Sequence, residues 1–218
     1  MCIRDRGYLP EALSNYMAFL GWSPKSTDKE ILSLDEISEI FDLSDINKAG
    51  AKFSWEKLNW INSQYIKNME SIKLSKIMSK YWDNNGWVSP SQEWSYKLAI
   101  LLKDSMTLLK DAIDQSEPFF LIPTIQKEGQ DFLENKDSKA SLKLILNYLI
   151  KQNTIKVDKE KAKEIINEIS KMHNIKKGIL MKSLRVAFFG SLSGPDLIQS
   201  WELFAESKTD RTRIERCL

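Results

Sequence analysis

With 218 residues and 42% hydrophobic content, the chain can build one large or two small domains around a buried core. Its 32 basic and 30 acidic side chains leave a net charge of +2, a balance that neither demands nor excludes a polyanionic partner. The single histidine and two cysteines exclude more: His173 alone would have to serve any Ser-His-Asp or Cys-His machinery, and Cys2 and Cys217, near opposite ends, make neither a disulfide framework nor a zinc-binding CxxC. The first predicted helix is "LPEALSNYMAFLGW", with Pro10 and Glu11 in its first turn, Gly21 as its stop, and Leu9, Leu13, Tyr16 or Met17, and Leu20 at helical spacing. A short helix follows in "SLDEISEIFD", where Ser33 and Glu36 have the capping-box spacing. A third covers "SWEKLNWINSQYIKNM", with Trp55, Leu58, Ile61 or Asn62, Tyr65 and Ile66 on one side.

Next comes "SIKLSKIMSKYWDNNGW", ended by Asn84, Asn85 and Gly86, with Ile72, Ile77, Met78 and Tyr81 expected on its apolar side. "EWSYKLAILLKDSMTLLKDAID" reads as one strongly apolar helix, and the two prolines of "EPFFLIP" (117–123) mark a boundary. Helices are then expected at 126–134, 138–151 and 158–173. After a turn at Gly178 come 179–189, 195–206 and 210–217. No stretch alternates strictly enough to be a sheet strand, so the fold class is all-α. His173 reads as a solvent-side helix residue. The seven tryptophans read as core and interface anchors rather than base-stacking platforms.

No apolar run approaches the roughly 20 residues that span a bilayer, and no signal-peptide core opens the chain. A reducing, cytoplasmic setting without membrane attachment is expected. No metal site is expected either. The "KLSK" at Lys73–Lys76 imitates a synthetase lysine loop but lies inside a helical pattern, where exposed lysines on an amphipathic helix explain it. GxGxxG and GxxxxGK are both absent. Charge, however, is uneven: residues 1–148 carry 18 basic and 21 acidic side chains, and residues 149–218 carry 14 and 9. The window 171–185 contains Lys171, Lys176, Lys177, Lys182 and Arg185 and no acid. A solvated face is the plain explanation; contact with the phosphates of a nucleic acid is the sharper one. Just beyond it, "LRVAFFGSLSGPDLIQSW" (184–201) places Arg185 before a glycine turn and a proline-led helix start. Such an arrangement can hold a splayed-out base, and it can equally be a tight turn between packed helices.

Three segments, "GYLPEALSNYMAFLGWSP" (7–24), "AKFSWEKLNWINSQYI" (51–66) and "SLRVAFFGSLSGPDLIQSWELF" (183–204), resemble the bacterial glutamyl-tRNA synthetase family in order and separation. The resemblance runs from about residue 6 to the final "RIERCL". It implies a C-terminal portion lying downstream of the family's Rossmann catalytic domain, whose HIGH-type and KMSKS-type signatures are absent here. It implies the end of a stem-contact domain at 7–69 and two helical anticodon-binding subdomains at 70–116 and 117–218, with "MCIRDR" (1–6) expected to be a non-native leader. Carried over by position, Arg185, Leu192, Gly194, Pro195 and Leu197 match the loop that meets anticodon bases, while Asn62 and Tyr65 match scaffold. Ser105, with Lys103 nearby, falls where some members use an arginine to discriminate the last anticodon base, and a serine is too short for that.

The resemblance further implies tRNA(Glu) as partner, with tRNA(Gln) as a second candidate, and a separate N-terminal catalytic half. ATP and Mg belong to the full-length enzyme rather than to these residues. A monomer is expected, with no aminoacylation by these residues alone. The competing expectation is a freestanding helical protein-interaction module with no RNA ligand. An independent hydrolase is disfavoured by the lone histidine and the lack of a nucleophile elbow.

Overall fold

The computed structural model describes residues 6–47, 50–152 and 156–218, and the described residues are helical with no sheet strand. Of the expected leader, residues 1–5 lie outside the described residues, as does Cys2; Arg6 places its guanidinium 5.1 Å from the centre of the Trp55 ring. No described helix is long and apolar enough to cross a membrane. Backbone contacts divide the chain into two compact units interleaved in sequence, the first made of residues 1–86 and 102–114, the second of 87–101 and 115–218.

The first unit opens with α1 (Pro10–Gly21), which begins on its proline, and α2 (Leu34–Ile40). The Ser33 capping box is reciprocal: Ser33 Oγ accepts from the Glu36 N–H, and Glu36 Oε2 accepts from the Ser33 N–H. α3 (Trp55–Asn68) packs on α1, and α4 (Ser71–Asn84) follows. The faces keep Tyr16 and Met78 of the sequence expectation and take in other residues beside them. On α1 the buried residues are Ala12, Asn15 and Tyr16, while Met17 is exposed. On α4 they are Leu74, Ser75, Met78 and Trp82; Ile72 is exposed, as are Lys73 and Lys76 of the synthetase look-alike.

Two buried asparagines sit on the inner faces of α1 and α3. Asn15 accepts from the Leu32 N–H and donates to Glu30 O, so it fastens the 30–32 segment. Asn62, fully buried, accepts from the Leu9 N–H at 2.8 Å and donates to Thr107 O at 2.6 Å. A polar side chain on the inner face is tolerated because both its ends are bonded. Asn62→Ala should therefore cost about 2 kcal/mol, since it strands a buried donor and a partly buried acceptor; chemical denaturation measures it. Tyr65 donates to Leu32 O at 2.7 Å, so both residues act as scaffold.

The single helix expected across 93–114 is two. α5 (Gln92–Lys103) stops, and α6 (Asp111–Phe120) starts after a turn. Asp111 Oδ2 accepts from the N–H groups of Thr107 and Leu108, and Leu109 N–H donates to Gly7 O. Those bonds offer the backbone an alternative to helix that local apolarity does not reveal. α6 also runs through Pro118 to Phe120, past the boundary expected at 117. Burial of Phe119 holds this last turn, and Leu121 N–H still reaches Glu117 O at 2.8 Å.

The second unit adds α7 (Lys127–Leu133), α8 (Lys136–Lys151), α9 (Lys159–His173), α10 (Lys177–Phe189), α11 (Leu197–Glu206) and α12 (Asp210–Glu215). The turn expected at Gly178 lies earlier: Asn174, in the left-handed region at φ 51°, ends α9, and Gly178 is already in the first turn of α10. α10 is the hub, touching α7, α8, α9, α11 and α12, and seven of its residues are buried. Phe119, Phe188, Phe189 and Phe204 form an aromatic cluster with Trp201 beside it. Four of the seven tryptophans, Trp22, Trp82, Trp94 and Trp201, are fully buried anchors, whereas Trp55 and Trp60 are exposed. His173 is on the solvent side, as expected. Lys97 ties α5 to α11 through Glu202 at 2.9 Å and Glu206 at 2.6 Å.

Candidate nucleic-acid interface

The segment after α10 is shaped by two glycines. Gly190 ends the helix at φ 72°, its N–H bonding Val186 O, and its own carbonyl accepts from the Gln126 N–H at 2.8 Å. Its α-carbon lies so close to the backbone that a β-carbon there would sit 2.2 Å from Thr124 O. Gly194, at φ 151°, passes close over the Phe189 ring, where a β-carbon would sit 2.9 Å from a ring carbon. Between them Ser191 Oγ donates to Ser193 O, and Leu192 N–H donates to Glu128 Oε1 at 3.3 Å. Asp196 then caps α11 by accepting from the Gln199 N–H, so the loop ends on a capped helix N-terminus.

Arg185 lies half-buried on the last turns of α10. Its Nη1 donates to both Gly194 O and Pro195 O, each at 3.0 Å. The guanidinium thus braces the loop. Leu192 and Pro195 are half-buried and Gly194 is exposed, so those three are available at the surface. Leu197 is not: it is 1% exposed and belongs to the core, which corrects its expected role as a base contact.

The basic residues follow α10 outward. By helical geometry Lys177, Arg185 and Lys182 spread over an arc of about 140° around α10, along roughly 12 Å of its axis. Lys177 and Lys182 are exposed, as are Lys171 near the end of α9 and Lys176, the residue preceding α10. All of these residues belong to the second unit, whereas Lys103 and Ser105 belong to the first. Ser105 is in the turn after α5 rather than within a helix; it is exposed and donates to Leu102 O at 2.7 Å. Lys103 Nζ is bonded to Met69 O.

Two residues absent from the sequence expectation complete the site from below. Arg213, fully buried on α12, donates from Nη1 to Phe188 O and from Nη2 to Leu121 O, both at 3.0 Å, and its guanidinium lies 4.2 Å from the Phe204 ring centre. Arg216 donates to Ala187 O at 3.2 Å and to Pro123 O. Burial, followed by the nearby Arg216 charge, pulls the Arg213 pKa down to about 10, which still leaves it charged at neutral pH. Nothing local in "RIERCL" marks these arginines as internal caps. Their spacing around the buried Ile214 and Cys217 is the one signal that they face inward.

The glycine-clasped loop thus presents Leu192, Gly194 and Pro195 at the surface next to the exposed lysines of α10. The family model described as "Anticodon binding domain" matches residues 58–218, and the chain belongs to that family. A second, "tRNA synthetases class I (E and Q), catalytic domain", matches residues 1–60. The chain is 88% identical over 98% of its length to the glutamate–tRNA ligase of Prochlorococcus marinus strain MIT 9215, and 44% identical over 99% to that of strain NATL2A. In each case it spans 45% of the relative. Among solved structures it is similar to a glutamate tRNA ligase from Elizabethkingia meningosepticum crystallised with its amino acid, with a TM-score of 0.90 and 31% identity, covering 98% of this chain and 42% of that one. A glutamate-tRNA synthetase from Elizabethkingia anophelis gives a TM-score of 0.87 at 32% identity. The resemblance carried by the three sequence segments is thereby borne out, and so is the all-α class.

Proposed function

We propose that this chain is the tRNA-binding, anticodon-recognising C-terminal part of a glutamate–tRNA ligase, active in the cytoplasm as a monomer with tRNA(Glu) as its ligand. The observation that carries the proposal is the Gly190–Pro195 loop, braced by Arg185 at the end of an exposed, acid-free helix face. Leu192, Gly194 and Pro195 meet anticodon bases, and Lys171, Lys176, Lys177 and Lys182 contact flanking phosphates. Phosphate contacts set register and base contacts supply specificity. Attachment of glutamate to tRNA with ATP and Mg is assigned to the N-terminal half of the enzyme.

The test is a salt-series titration of the chain with glutamate tRNA and with the same tRNA carrying an altered anticodon. Binding should favour the intact anticodon by about 1–3 kcal/mol per base changed. Converting both Lys177 and Lys182 to Gln should weaken the two tRNAs equally and lower the salt slope by about 2. A folded chain that binds neither tRNA would promote the helical interaction module instead. We also propose that Ser105, with Lys103 beside it in sequence, leaves the last anticodon base loosely read, so that tRNA(Gln) is accepted too. A strong preference of the unmodified chain for the glutamate anticodon over the glutamine anticodon would overturn that part.

A further inference from the structure

We infer that Arg213 and Arg216 are positioning residues for anticodon readout, acting through the backbone that carries the Gly190–Pro195 loop. The inference rests on the anticodon assignment above and extends it to residues that touch no base. Each arginine joins the same two pieces of chain. Arg213 takes Phe188 O from the last turn of α10 and Leu121 O from the segment after α6. Arg216 takes Ala187 O from that same turn and Pro123 O from that same segment. The next residue of the segment, Thr124, presses its carbonyl against Gly190, and Gln126 N–H bonds the Gly190 carbonyl. The two guanidinium groups therefore cap the C-terminal carbonyls of α10 and clamp the segment that fixes the turn from which the loop springs.

The choice of arginine over an apolar residue supports this. No described carboxylate pairs with Arg213 or Arg216. A charge placed at full burial without a counterion is costly unless directed donors are what the site requires. Here four carbonyls receive four directed N–H groups, and a planar fork can serve two carbonyls at once where an ammonium cannot hold the same geometry.

The experiment uses the full 218-residue chain. Unmodified protein, Arg216→Gln, Arg216→Lys and Arg213→Lys are each titrated with glutamate tRNA and with its anticodon-altered form, with a thermal melt run alongside. Arg216→Gln should lose about tenfold in affinity for the intact tRNA while its affinity for the altered tRNA and its salt slope stay unchanged, so that anticodon preference collapses. Arg216→Lys should fall between, because it keeps the charge but offers one donor nitrogen in place of the two that reach Pro123 O and Ala187 O. A folded variant that keeps the full preference despite a lowered melting temperature would show a purely structural role and overturn the inference. If Arg216→Gln does not fold, the two lysine variants are read against the same criterion. Absence of preference in the unmodified chain would instead overturn the anticodon assignment, and this inference with it; that result is visible in the first titration alone.

Discussion

Gly190→Ala is expected to destabilise the second unit by about 3 kcal/mol. Two costs add. At φ 72° an alanine is held in the left-handed region that only glycine enters freely. The new methyl would also lie 2.2 Å from Thr124 O and 3.0 Å from the Thr124 carbonyl carbon, which are backbone atoms that cannot swing aside as a side chain can. Relief requires moving the 121–126 segment, and with it the carbonyls held by Arg213 and Arg216, or opening the turn and letting Gln126 lose its acceptor. Urea denaturation of the variant measures the loss. A change below about 1 kcal/mol would show that the turn rearranges cheaply, and would remove the argument that this backbone is fixed from beneath.

Lys97→Met should cost about 2 kcal/mol near neutral pH, discounted from the cost of breaking a fully buried pair because the site is partly exposed. The lysine side chain is 28% exposed, while its partners Glu202 and Glu206 are 10% and 22% exposed. Removing the ammonium leaves two carboxylates facing each other in poorly solvated surroundings. Glu93, 77% exposed, matters little to this balance. Burial alone would lower the Lys97 pKa, but the hydrogen bonds and charges of Glu206 and Glu202 outweigh it and raise the value. A raised folded-state pKa gives stabilisation that is complete below the unfolded lysine value of about 10.4 and is lost as pH climbs through the folded value. The stability gap between the two proteins should accordingly be constant through neutral pH and narrow in strong alkali. Denaturation curves at pH 7, 9 and 11 check this; a gap that widened with pH would contradict the sign.

Most helices were legible because their ends are local. The Ser33–Glu36 box, the Pro10 start and the apolar periodicity of 138–151 and 158–173 all depend on residues within a few positions of one another. What was illegible depends on partners far along the chain. The break after Lys103 is fixed by Gly7 and by Asn62 as much as by Asp111, so a run of leucines reads as one helix until those partners are placed. The inner face of α1 holds the expected Tyr16 but also Asn15, whose burial depends on distant partners, the 30–32 segment and Tyr65. In the candidate site, the loop and the basic face stood out in the sequence through glycine, proline and the absence of acids. Leu197 matched by position, but a position does not show which way a side chain turns. Arg213 and Arg216 were invisible because a buried cation held by carbonyls has no acidic partner in the sequence to betray it.

The Arg213 and Arg216 clamp has a bearing on how binding competence is gained. Leu121 and Pro123 are held by residues 92 and 93 positions later in the chain. Contacts of such separation form late, after the helices that surround them have closed the intervening loop. During synthesis, α7 through α11 can all emerge and fold while the turn at Gly190 is still unfastened. A preparation can therefore show full helical content and a compact size and yet contain chains whose loop is unset. Under the proposed function, the fraction competent to bind RNA, counted by titration at saturation, is a stricter measure of a finished fold than circular dichroism.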